Sequence, residues 1–269
     1  MTVIALHSEL VRQERTVSGP TRAPLLILHG MLGSGTNWRS IARRLSTEQD
    51  VYLLDARNHG RSGHADSMDY PSMARDVADW LSANAIERAV LLGHSMGGKT
   101  AMQLCLTDPG PIAGLIVVDI APVAYRHTEH EPLLQAMQDL ALGSLSSRTE
   151  ADQALAAAVP DKALRGFLLH NLTSDNGTLR WRVNLDAIQR HLPDLIDFPL
   201  DGSPRFERET LFIRGADSNY IGDSHRQAID SLFPNARMRT IANAGHWVHA
   251  EQPGAFVDAV EPFLAELAP

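Results

Sequence analysis

The chain has 269 residues, 44% of them hydrophobic, a formal net charge of −8 and a single cysteine, Cys105. That length and apolar content allow one sizeable α/β core and exclude a disordered or fibrous chain. An acidic chain without a long basic run offers nucleic acid no footprint, one cysteine permits no internal disulfide, and no uncharged apolar stretch approaches the roughly 18 residues of a membrane span. Residues 1–17 alternate polar and apolar side chains, so no secretory signal is expected and the cytoplasm is the expected location.

Short apolar runs recur along the chain at PLLILHG (24–30), VYLLDAR (51–57), AVLLGHS (89–95), GLIVVDIAP (114–122), TLFIRGAD (210–217) and MRTIANAGH (238–246), with helical patterns between them. Continuous apolar character in runs this short suits strands covered on both faces, and alternation with helices predicts a mostly parallel, doubly wound α/β sheet. Ligands bind such sheets beyond the carboxyl ends of the strands, which is where His29, Asp55, Arg57, Ser95, Asp119, Asp217 and His246 fall. Between Pro122 and Phe206 the strand pattern lapses, and segments 131–142, 150–159, 162–172 and 181–192 carry apolar residues at helical spacing. This predicts a helical cap at 123–206 inserted into a core made of 1–122 and 207–269.

The stretch LLGHSMGGKT (91–100) satisfies two motifs at once: GxxxxGK[ST], which cradles phosphates, and GxSxG, which presents a nucleophilic serine. LIVVD at 115–119 would even serve a nucleotide enzyme as its magnesium-holding strand. A phosphate nest is poorly served by the bulky His94 and Met96, whereas the serine elbow needs small residues two before and two after Ser95, the places of Gly93 and Gly97. The elbow also requires an oxyanion hole, an acid and a histidine in chain order. HGMLGSG (29–35) offers glycines that turn a backbone N–H inward, so the N–H groups of Met31 and Met96 are the expected hole. NAGHWVHAEQP (243–253) places His246 on the loop leaving the last strand, with His249 as the fallback base. The nucleotide reading explains neither segment.

HGMLGSG, DARNHGRSG, GHSMGG, VVDIAP, RWRVNLDAI and AGHWVHAEQP together resemble the α/β-hydrolase superfamily, and within it the small YbfF-type esterases, in the right order from about Leu25 to Phe263. The resemblance implies an α/β-hydrolase fold with a helical cap and ester or thioester hydrolysis without a cofactor, acyl-CoA thioesters being among the substrates. Two aspartates compete to orient His246: Asp217, after the penultimate strand, and Asp119, one strand earlier. The resemblance favours Asp119; this chain departs from the pattern in carrying aspartate at both positions.

The remaining polar residues have plainer readings. His29 and His94 are expected to hold the catalytic turns, and Asp55, Arg57 and His59 to knit a loop through charge-assisted bonds. The cluster His127 to Glu131 reads as a solvated loop and not a metal site, Cys105 as a small buried apolar residue, and Lys99 as a helix residue whose tip reaches solvent. Trp247, Trp181 and Phe167 are substrate-contact candidates, with Leu168 and Val183 beside them. The expected activity is a serine hydrolase cleaving a small-molecule acyl ester or thioester through an acyl-enzyme, with no cofactor and no metal. The alternatives are a lyase or C–C bond hydrolase on the same fold, or a ligand-binding homologue without activity.

Overall fold

The computed structural model describes residues 4–13, 22–126, 130–200 and 202–267. Its strands are β1 (Ser8–Val11), β2 (Leu25–Leu28), β3 (Val51–Leu54), β4 (Ala89–His94), β5 (Ile112–Val118), β6 (Leu172–Asp175), β7 (Thr178–Trp181), β8 (Thr210–Gly215) and β9 (Ala236–Ile241). Seven of these form one sheet in the order β1-β3-β2-β4-β5-β8-β9. All its pairs are parallel except β1 with β3.

Side chains alternate across a strand, and here both sets are apolar. Leu26, Leu28, Leu91, Leu115 and Val117 pack on one face with Ala74, Val77, Met102 and Cys105 from the helices Tyr70–Ala83 and Met96–Thr107. Leu25, Ile27, Val90, Leu92, Ile116 and Val118 pack on the other with Ile41, Leu45, Phe256 and Val260 from the helices Arg39–Leu45 and Pro253–Glu266. This two-sided burial is why the parallel strands read as continuous apolar runs.

Two elements depart from the sequence expectation. β1 is a short antiparallel edge strand that is only partly buried, so it lacks the run that marks the others. Within the insertion, β6 and β7 form an antiparallel hairpin. Its two-residue loop, Asn176 at φ 49 and Gly177 at φ 84, has the positive dihedrals that an Asn-Gly hairpin turn demands. The other regular elements of the insertion, among the described residues, are the helices His130–Gln138, Arg148–Leu155, Lys162–Leu169, Leu185–Arg190 and Leu192–Ile196 and a 3-10 turn at Leu142–Ser144. The insertion covers the carboxyl edge of the sheet by packing Leu134, Met137, Leu168 and Ile188 with Leu32 and Met96 of the core.

At the middle of that edge β4 ends in a sharp turn. Ser95 has φ 52 and ψ −117, a strained backbone for a residue with a side chain, and the next residue begins the helix Met96–Thr107. The turn forces strand and helix so close that a Cβ on Gly93 would lie 2.2 Å from Gly97 O, and one on Gly97 would lie 2.3 Å from Leu28 O. Only glycine fits at either place.

Lys99, one turn into this helix, is corrected from a solvent-seeking side chain to a buried one, 1% exposed. Its Nζ donates to Ile196 O at 3.0 Å and Asp197 O at 2.8 Å and lies 4.8 Å from the centre of the Tyr125 ring. It thereby ties the core helix to the end of the insertion, and burial lowers its pKa to about 7. Arg57 makes a buried bidentate bond to Asp76, at 2.6 and 2.7 Å, that ties the loop after β3 to the helix Tyr70–Ala83.

The elbow's packing gives a direct prediction. Gly97→Ala should destabilise the fold by about 1–3 kcal/mol, because the overlap is with backbone that cannot move aside. Gly166→Ala, in the helix Lys162–Leu169 where an added Cβ meets nothing within 4 Å, should stabilise it by up to about 1 kcal/mol. Thermal unfolding of the two variants would reveal shifts of opposite sign.

Candidate active site

The carboxyl edge brings together residues far apart in sequence. Asp119 follows β5 at φ 52 and is fully buried, 0% exposed. Its Oδ1 accepts from Gly215 N–H at 3.1 Å, and its Oδ2 accepts from the Ser218 hydroxyl and from His246 Nδ1–H at 2.8 Å. That bond fixes the His246 tautomer, leaving the Nε2 lone pair free of Asp119 and available as a base. Tyr220 stacks on the imidazole at 4.0 Å between ring centres, and His94 Nε2–H donates to His246 O at 2.9 Å. The ring and the loop that carries it are thus both fixed. Burial raises the Asp119 pKa to about 6 and lowers that of His246 to about 3.

Ser95 and His246 line the same cleft, about 550 Å³ in size. No hydrogen bond joins their side chains among the described residues, and catalytic bonds of this kind commonly tighten only when substrate is bound. Asp217, the competing acid, lies on an exposed turn. Its backbone N–H donates to Ala244 O at 2.9 Å, and its carboxylate makes no hydrogen bond to His246.

The backbone beside Ser95 is equally constrained. Gly30 to Gly33 form a turn closed by Gly33 N–H to Gly30 O at 3.0 Å. His29 Nε2 accepts from Ala56 N–H at 3.0 Å, so its proton is on Nδ1, which donates to Gly30 O at 2.8 Å. Its neighbour His59 works the same way: Nε2 accepts from Leu32 N–H at 3.1 Å and Nδ1–H donates to Arg57 O at 3.0 Å. Both rings need an unprotonated Nε2, and burial lowers the pKa of His29 and brings that of His59 to about 3. Asp55 completes the scaffold by accepting from Gly35 N–H at 2.7 Å and Arg61 N–H at 2.8 Å. The Met31 N–H has no acceptor among the described residues. The Met96 N–H, in the first turn of its helix, has no intrahelical acceptor.

Of the substrate-contact candidates, Phe167 and Trp247 line the cleft, 6.1 Å apart between ring centres, beside Leu133, Leu164 and Leu168. Trp181 is not among the lining residues; its Nε1–H donates to Met137 O at 2.9 Å, and the ring packs within the insertion. Val183 is likewise buried in that packing. His249 stacks on Trp38 at 3.7 Å. A second cleft of about 360 Å³, lined by Tyr70, Lys99, Tyr125 and Tyr220, meets the first at Ser95 and Met31. His127 to Glu129 lie outside the described residues, while His130 lines both clefts. Sequence reasoning passed over Ser218 and Tyr220, which hold Asp119 and His246; their position in RGADSNY beside Asp217 was the available signal.

Residues 25–259 match the alpha/beta hydrolase family. The chain is 43% identical to the sn-1-specific diacylglycerol lipase ABHD11 of Xenopus laevis, over 93% of this chain and 81% of that one. It is 32% identical to the esterase YbfF of Escherichia coli, over 94% and 98% of the two chains. A solved marine microorganism esterase superposes with a TM-score of 0.91 at 36% identity, covering 97% of this chain and 99% of its own. Extended over nearly the whole chain, these matches make the protein a member of the alpha/beta hydrolase family.

Proposed function

We propose that Ser95, His246 and Asp119 are the residues with which this carboxylesterase-type serine hydrolase cleaves esters, and that the insertion 123–206 is a cap shaping the acyl site. The observation that carries the reading is the Asp119–His246 bond beside a serine held at a strained elbow in the same cleft. His246 Nε2 takes the hydroxyl proton as Ser95 Oγ adds to the acyl carbon, and Asp119 stabilises the imidazolium. The N–H groups of Met31 and Met96 hold the oxyanion, a contribution of about 3 kcal/mol for each donor in comparable sites. Collapse expels the alcohol, which takes the proton from His246. Water, deprotonated by the same ring, then adds to the acyl-enzyme, and the acid leaves.

The apolar wall of Leu133, Leu164, Phe167 and Leu168 suits an acyl chain, with Trp247 at the rim. Thioesters are open to the same chemistry. Because the ABHD11 relative carries the name of a diacylglycerol lipase, diacylglycerol is the ester to assay first, beside an acyl thioester. Cys105, a fully buried thiol whose pKa burial raises, suits a reducing compartment such as the cytoplasm.

Fluorophosphonate labelling with peptide mapping tests the assignment. A single adduct on Ser95 is expected, absent in Ser95→Ala. Asp119→Asn should slow both labelling and ester turnover by about 10³–10⁴-fold, since it disturbs the imidazole tautomer, and Asp217→Asn should leave both near wild type. Reversal of the two aspartate variants would make Asp217 the acid.

The pH profile is a second test. The base must be unprotonated, and acidification first adds a proton to the Asp119–His246 unit near pH 6, the value to which burial raises Asp119. For the free enzyme kcat/KM should be flat at neutral pH and fall by about tenfold per pH unit below this limb, the apparent pKa belonging to the pair. A limb near pH 8 would contradict a histidine held neutral by burial.

A further inference from the structure

The turn that carries the Met31 N–H is anchored at consecutive peptides. Gly30 O accepts from His29 Nδ1–H and from Gly33 N–H. Because a trans peptide is planar, fixing that oxygen directs the Met31 N–H out of the opposite edge. Leu32, the next residue, has φ 60, a left-handed backbone that a leucine keeps only where its surroundings over-determine it. Two bonds do this: Leu32 N–H donates to His59 Nε2 at 3.1 Å, and Leu32 O accepts from Asn171 Nδ2 at 2.7 Å.

His29, Gly33 and His59 belong to the core, but Asn171 comes from the cap, between the helix Lys162–Leu169 and β6. It is 4% exposed and firmly held. Its own N–H donates to Leu168 O at 3.1 Å and its O accepts from Arg182 N–H at 2.8 Å, while Nδ2 also reaches Leu168 O at 3.2 Å. A second cap asparagine, Asn184, binds the core at Asn58, through its N–H at 2.9 Å and its Nδ2 at 3.1 Å, without touching the turn.

We infer that Asn171 is a positioning residue for the oxyanion hole: seating the cap places its amide on Leu32 O and holds the Met31 N–H where the oxyanion forms. The inference rests on the oxyanion role proposed for Met31. The cap then does more than enclose substrate, because it supplies one of the two bonds that hold Leu32 in its left-handed backbone.

The test compares wild type, Asn171→Ala, Asn184→Asp and Ser95→Ala on a p-nitrophenyl ester. A trifluoromethyl ketone with the same acyl chain serves as the mimic of the tetrahedral intermediate, and the corresponding amide as the ground-state analogue. Asn171→Ala should lower kcat by at least about tenfold with KM within about twofold. Ketone affinity should fall in proportion to kcat/KM while amide affinity stays constant. Asn184→Asp, which loosens the cap elsewhere and keeps its helix-capping oxygen, should remain within about threefold of wild type. If Asn171→Ala fails to fold, Asn171→Asp keeps the side chain's shape without the donor and is read in the same way. Unchanged kcat, equal losses in the Asn171 and Asn184 variants, or a parallel loss of ketone and amide affinity would reduce Asn171 to a cap fastener and overturn the inference while leaving the catalytic reading intact. Full activity in Ser95→Ala would instead overturn that reading, and the inference with it.

Discussion

Everything at the carboxyl edge depends on the close passage of β4 and the helix that follows it. Ser95 turns the chain with φ 52, and the glycines at 93 and 97 let the helix lie against the ends of β2 and β4. That contact puts the serine hydroxyl above the sheet, the first helical N–H beside it, and the turn after β2 within reach of both. The strain at Ser95 is held by Ser95 N–H to Val118 O at 3.0 Å and by Lys99 N–H to Ser95 O at 3.0 Å. Such strain persists only in a frame this tightly bonded.

Around that point the protein uses histidines in two distinct ways. His246 keeps one nitrogen on a buried carboxylate and leaves the other free for the base role proposed for it. His29 and His59 are structural, and each holds a backbone N–H with an unprotonated Nε2. The same cause, burial of the charged form, lowers the pKa of all of them. Neutral imidazoles thus serve both the scaffold and the base proposed here, and acidification reaches the Asp119–His246 pair first through the carboxylate, whose pKa burial raises.

Much of the fold was legible because its parallel strands are buried on both faces and leave continuous apolar runs. β1 was not, being a partly buried edge strand with no such run. The β6–β7 hairpin was not legible either, because its strands LTSD and TLRW are polar and largely exposed and leave no apolar run. The strand ends carrying Ser95, Asp119 and His246 could be placed from sequence, but the local pattern did not separate the two aspartates, and only the family resemblance favoured Asp119. Their difference is burial: Asp119 receives bonds from Gly215, Ser218 and His246, while Asp217 sits on an exposed turn. Lys99 and Trp181 were misjudged for a related reason. Their polar atoms meet backbone carbonyls more than 40 residues away, a pairing that local pattern does not encode.

In the reading proposed here, a core elbow and a cap-braced turn together form one oxyanion site. A crystal structure of the phosphonylated enzyme tests it most directly, because the phosphonyl oxygen occupies the oxyanion position. Phosphorus is expected on Ser95 Oγ, its oxygen accepting from both Met31 and Met96 N–H at about 2.7–3.1 Å, with Asn171 still bonded to Leu32 O. An oxygen directed away from Met31, or held there with the Asn171 contact absent, would contradict it.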